Sequence, residues 1–169
     1  VLDVAGRTIV RGTRWPLPKD GKPGRRVRRK PLGQAIGLCY SGWHFVTEDS
    51  VARWATWDWR ANSKERVIWE AEPDDIVEAG RTKVVARGGR LLPRHWYLSE
   101  IAEKVVKIVE IECVWPESGR EYASTVWCAD FMVYLNKGLY VSALSALSGI
   151  NCAYTSDKML EAMYGQEAV

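Results

Sequence analysis

Residues 82–109 read TKVVARGGRLLPRHWYLSEIAEKVVKIV, and the pattern changes character midway. Up to Leu92 the stretch is rich in β-branched and extended-chain residues bounded by turn signals, which predicts a strand over Thr82–Leu92. Beyond Pro93, Leu98, Ile101, Ala102, Val105, Ile108 and Val109 recur at three and four residues. That spacing puts them on one face of a long helix, with Glu100, Glu103, Lys104 and Lys107 on its wet side. The switch from period two to period 3.6 predicts an α+β fold. A small, basic, β-rich N-terminal domain occupies residues 1–94, and an acidic helical region of three to four helices occupies 95–169.

On the N-terminal side, Arg66–Glu72 (RVIWEAE) alternates and predicts a strand, and Asp75–Glu78 predicts another. Gly80 and Gly88-Gly89 are then expected turns. Ile36–Phe45 (IGLCYSGWHF) reads as extended. Thr47 can cap a helix with its hydroxyl, with Glu48 and Asp49 in the first turn and Val51, Trp54 and Ala55 as the apolar stripe. Thr8–Thr13 (TIVRGT) reads as a short strand. Lys19–Lys30 (KDGKPGRRVRRK) combines Pro, Gly and like charge, which predicts a mobile basic loop over 19–31. On the C-terminal side, Trp115-Pro116-Glu117-Ser118-Gly119 breaks the first helix. A second is expected over Glu121–Lys137 with Gly138 as its cap, a third over about Tyr140–Leu147 ending near Gly149, and a last from Ser156 or Asp157 to Gly165.

Length and composition agree with a globular protein of one domain plus a helical extension: 169 residues, 47% hydrophobic and 27% charged. Nine Trp residues are many for this length. Cys39, Cys113, Cys128 and Cys152 are scattered without metal-ligand spacing, so reduced structural thiols are expected and no metal site. No signal-peptide pattern is visible at the N-terminus. The most apolar stretch, Leu139–Ala153, is shorter than the ~20 residues of a membrane span and is interrupted by Ser and Asn. The cytoplasm is the expected location, with no membrane partner. Charge is uneven: residues 1–94 hold 19 Lys/Arg against 11 Asp/Glu, and residues 95–169 hold 5 against 10. That asymmetry suggests an anionic partner for the front half, or attraction between the halves.

Three segments form a constellation. They are Arg11-Gly12-Thr13, then Ser41-Gly42-Trp43-His44-Phe45 running into the Thr47–Trp57 helix, then Glu70-Ala71-Glu72-Pro73. Their order resembles the core of small ADP-ribosyltransferases, and Trp43–Trp54 with Glu72-Pro73 looks most like the rifampin-modifying members. Residues 39–94 also resemble an uncharacterised domain of phage proteomes with a Cys-x-x-Gly-aromatic-His motif. The resemblance implies NAD as cofactor, held by Arg11, Gly12 and Thr13, with Ser41, His44 and Trp54 lining the nicotinamide pocket. It implies Glu72 as catalytic acid and Glu70 as helper. The chemistry suits these residue types. Arg pairs bidentately with a pyrophosphate, Gly permits close backbone approach, and a carboxylate stabilises the cation that forms on the ribose. Arg11 stands where the matched families carry His, and the neighbours of Glu70-Ala71-Glu72 differ from the toxin pattern.

Plainer readings stand beside these. Arg-Gly-Thr is also an ordinary strand end, His44 an ordinary packed histidine, and Glu70 and Glu72 the wet face of an edge strand. The cluster Trp54, Trp57 and Trp59 suits a core or interface. The run Arg25, Arg26, Arg28, Arg29 and Lys30 is either a solvated loop or a phosphate-neutralising patch. The function that the resemblance implies is an ADP-ribosyltransferase-like, phage-associated protein that binds NAD and acts on a host macromolecule. The alternative is a non-enzymatic inhibitor that docks on a host protein or nucleoprotein complex through the basic loop and a Trp-rich surface, and a nucleic-acid-binding module is a third.

Overall fold

A computed structural model of the chain describes residues 1–9, 11–28, 42–56, 65–112, 130–150 and 152–165. It is α+β. Two compact units are present. The first comprises Val1–Ser50 and Arg66–Trp96, and the second Val51–Glu65 and Tyr97–Val169. Val51–Glu65 thus groups with the helices, not with the sheet residues that flank it in sequence.

The first unit is built on a long antiparallel hairpin. β4 (Arg66–Ala79) and β5 (Lys83–Tyr97) are neighbours, closed by the Gly80 N–H bonding to the Lys83 carbonyl at 2.9 Å. β1 (Leu2–Asp3) pairs with β4 at Val67 and Arg66. β2 (Val27–Arg28) and β3 (Trp43–Val46) both pair with β5, β2 at Gly89 and Gly88 and β3 from Ala86 to Lys83. Leu2, Trp15 and Leu91 form a buried cluster, and Val27, Trp43, Phe45, Trp69 and Ala71 pack against it. Trp15 meets Trp43 and Phe45 edge-on, at centroid distances of 4.7 and 5.9 Å. Such edge contacts suit the aromatic quadrupole.

Several local expectations are corrected here. Gly88-Gly89 is no turn but the middle of β5. A Cβ on Gly88 would lie 2.4 Å from the Val27 carbonyl oxygen, and one on Gly89 would lie 2.6 Å from the Phe45 ring and 2.7 Å from the Glu72 carbonyl oxygen. Only glycine lets the neighbouring strands approach that closely. Asp75–Glu78 is not a separate strand but continues β4, with Asp75 in the left-handed region at φ 58°, which Asp tolerates better than most residues. Thr8–Thr13 is a turn: Thr8 N–H bonds to the Thr13 carbonyl, Gly12 N–H to the Thr8 carbonyl, and the Thr8 hydroxyl accepts from Thr13 N–H. The basic loop is structured as far as Arg28. Lys19 and Lys22 exchange both backbone hydrogen bonds around Asp20 (φ 51°) and Gly21 (φ 70°), the two-residue turn that Asp-Gly favours. Gly24 N–H then bonds to the Leu91 carbonyl, and Val27–Arg28 joins the sheet. Arg29 and Lys30, like Ser41, lie outside the described residues.

The second unit is helical. It contains α1 (Val51–Ala55), α2 (Leu98–Glu112), α3 (helical over 130–136), α4 (Tyr140–Ile150) and α5 (Cys152–Tyr164). The expected stripe on α2 is buried at Leu98, Ile101, Ala102, Val105 and Val109. α2 packs on α4 and α5, α4 on α5, and α1 on α5. The Glu65 carboxylate accepts the Ser99 N–H at 3.1 Å, which satisfies a free amide in the first turn of α2. Gly138 ends α3 as expected, with Leu139 N–H bonding to the Tyr134 carbonyl and Gly138 N–H to the Leu135 carbonyl. α4 ends at Ile150, next to the expected Gly149, while α5 begins at Cys152, earlier than Ser156. Thr47 does not cap with its hydroxyl, which donates to the Arg81 carbonyl at 3.4 Å. Its carbonyl instead accepts the Ser50 N–H, opening a short 3-10 turn over Glu48–Ser50. Among the described residues no helix is long and apolar enough to cross a membrane.

Candidate functional site

Strand alternation sorts the first unit's side chains onto two faces. Trp69 and Ala71 on β4, Leu91 on β5, and Trp43 and Phe45 on β3 face the aromatic cluster. Glu70, Glu72 and Arg90 alternate with them and so belong to the opposite face. There Glu72 is the hub of an ion network. Its Oε1 accepts from Arg26 Nη2 at 2.6 Å, and its Oε2 accepts from Arg90 Nε and Nη2 at 2.9 and 2.7 Å. Arg26 Nη1 also donates to Asp74. Glu70 pairs with Arg94 at 3.6 Å, and Asp75 with Arg87 at 3.6 Å. The Arg90 guanidinium, and after it Arg26, holds the Glu72 carboxyl below its ordinary 4.5, so it stays ionised at neutral pH. The network is half-exposed, with 40% of the Glu72 side chain and 43% of Arg26 open to solvent.

The predicted site residues divide accordingly. Glu70 and Glu72 sit side by side on one face, as their spacing implies. His44 is exposed on β3 and pairs with Val85, five residues from Arg90 along β5, which is about 17 Å of strand at ~3.4 Å per residue. Arg11, Gly12 and Thr13 lie at an exposed turn. Trp54 lies on α1 in the helical unit. Of the basic run, Arg26 is tied into the network, while Arg25 and Arg28 are exposed beside it.

Sequence reasoning missed two participants. Arg90 was read only as part of a strand, and its signal was the single-residue offset from Leu91 that puts it opposite the core. The pair Arg7 and Arg14, before the basic loop, was also passed over. Arg7, Arg11, Arg14, Lys19 and Lys22 are all exposed, as are Arg25 and Arg28. The segment Val1–Arg28 holds eight Lys/Arg against Asp3 and Asp20.

Among the described residues no group of three His, Cys, Asp or Glu side chains gathers as metal ligands. Comparison with known proteins found no matching family model, no matching curated protein and no matching solved structure.

Proposed function

We propose that the chain is a non-enzymatic binding protein that docks on a polyanionic partner, nucleic acid or a host nucleoprotein complex, through Val1–Arg28. One observation carries this reading. Seven exposed cations (Arg7, Arg11, Arg14, Lys19, Lys22, Arg25 and Arg28) crowd a short segment and form no ion pair among the described residues. Exposed cations held on structured turns and a short strand neutralise phosphates at little ordering cost. A cytoplasmic, phage-associated setting is part of the proposal, consistent with the resemblance drawn from residues 39–94.

The test is a titration of fluorescein-labelled DNA at several salt concentrations. Binding should weaken steeply with salt, and replacing both Arg25 and Arg28 with Ala should flatten the slope of log K against log[salt] by about 1.4 for single strands, at ~0.7 per lost phosphate contact. No affinity at the lowest salt would end this reading.

ADP-ribosyl transfer from NAD is the second reading, favoured by the shared face of Glu70 and Glu72. It asks Glu72 to direct negative charge at a ribosyl cation, and here two guanidiniums already neutralise that charge. A heat of NAD binding together with label transfer from NAD to a lysate protein would restore it to first place.

A further inference from the structure

We propose that Arg26 and Arg90 form a phosphodiester-binding site that Glu72 occupies as an internal anion until the partner's backbone displaces it. The inference rests on the polyanion-binding reading and adds a second, gated site to it. Two guanidiniums from separate segments converge on one carboxylate, and both of its oxygens are used. Arg90 presents Nε and Nη2 together, the planar fork that fits a carboxylate and a phosphate with the same spacing. A phosphate diester offers two such oxygens and can replace the carboxylate contact for contact.

Three features favour exchange. The network is half-exposed, and ion pairs of that exposure are weak because solvent screens them. Glu72 is a flexible side chain that can turn into water without moving β4. Arg26 stands between the exposed Arg25 and the β2 strand bearing Arg28, so a strand tracking those cations passes over the site. With Glu72 in place, the charges of Arg26, Arg90, Glu72 and Asp74 cancel. With Glu72 displaced, one positive charge is released where the phosphate arrives.

The experiment uses the full chain and a labelled 20-nucleotide single-stranded DNA. Glu72→Gln should tighten binding by at least about fivefold at low salt and steepen the salt slope by ~0.7, the value of one added phosphate contact. Adding Arg90→Ala to that variant should return both to wild-type values. The Arg90 Nε–H resonance of the unmutated protein should shift as DNA is added, which needs no variant to fold. Unchanged affinity and slope in Glu72→Gln, with an unmoved Arg90 resonance, would overturn the gate and leave Val1–Arg28 standing. Binding by Glu72→Gln but not by wild type would support the gate and remove the Val1–Arg28 reading. Failure of both proteins to bind would sink both.

Discussion

The two units use their residues in opposite ways. In the helical unit, α2 and α4 bury a side chain on nearly every turn, and Leu98, Ile101, Val105, Phe131 and Leu144 are almost wholly withdrawn from solvent. In the sheet unit the cluster around Leu2, Trp15 and Leu91 is small, and most residues packed on it are only partly buried. Charge follows the same division. The sheet unit carries 16 Lys/Arg against 9 Asp/Glu, while the helical unit carries 8 against 12. Regular apolar packing anchors one unit. The other holds a charged surface on a long hairpin, steadied by aromatic contacts and ion pairs. The lesson is that the exposed cations and the ion network concentrate in the sheet unit, away from the regular helical packing.

The largest effect should come from the helical core. Leu144→Ala should cost about 2–5 kcal/mol, the lost transfer energy plus the cavity, whereas Arg28→Ala on the exposed β2 strand should stay within about 0.5 kcal/mol. Equilibrium denaturation of both variants checks the contrast. Equal losses would break the comparison.

A smaller effect tests how closely the sheet unit is fitted. Gly89→Ala puts a methyl 2.6 Å from the Phe45 ring and 2.7 Å from the Glu72 carbonyl oxygen. Since backbone cannot yield as a side chain tip does, β4 or β5 must shift, at about 1–3 kcal/mol. An unchanged melting temperature would show that the strands are looser than they look.

The helical half was legible because α2 obeys one rule over its length. Each apolar position from Leu98 to Val109 repeats the same spacing, and Gly138 marks the end of α3 by its backbone alone. The sheet half was legible only in part. The Arg66–Glu72 and Thr82–Leu92 segments announced themselves as strands, but Gly88-Gly89 misled because a glycine pair marks a turn far more often than a close strand contact. The reason for those glycines lies in Val27, Phe45 and Glu72, which are distant in sequence. Likewise the run Lys19–Arg28 has the composition of a loop, and only its pairing with Leu91 and Gly88-Gly89 makes it part of the sheet. The pairing of Glu70 and Glu72 followed from period two. That Arg26 and Arg90 would claim Glu72 depended on register across three strands, which a single sequence does not state.

The smallest effect concerns Glu72 and separates its structural from its gating part. Arg90 and Arg26 depress the carboxyl below its ordinary 4.5, so the folded state holds its proton less tightly than the unfolded chain. A depressed carboxyl contributes stability that is present in full above the ordinary value and is lost as pH falls through the lowered one. Wild type should therefore melt slightly higher than Glu72→Gln at pH 7, and the gap should narrow as pH falls below 4.5. Other carboxylates titrate in both proteins, so only the difference between the two curves reports Glu72. High salt should narrow the gap at pH 7 as well, because the pairs are open to solvent. A gap constant from pH 7 to pH 3 would mean that the ion network adds nothing to folding. The same substitution should act in opposite directions on two measurements, lowering stability a little while raising affinity for DNA. A residue whose only task was to hold the sheet together would lower stability without tightening binding, so the pair of signs distinguishes a gate from a brace.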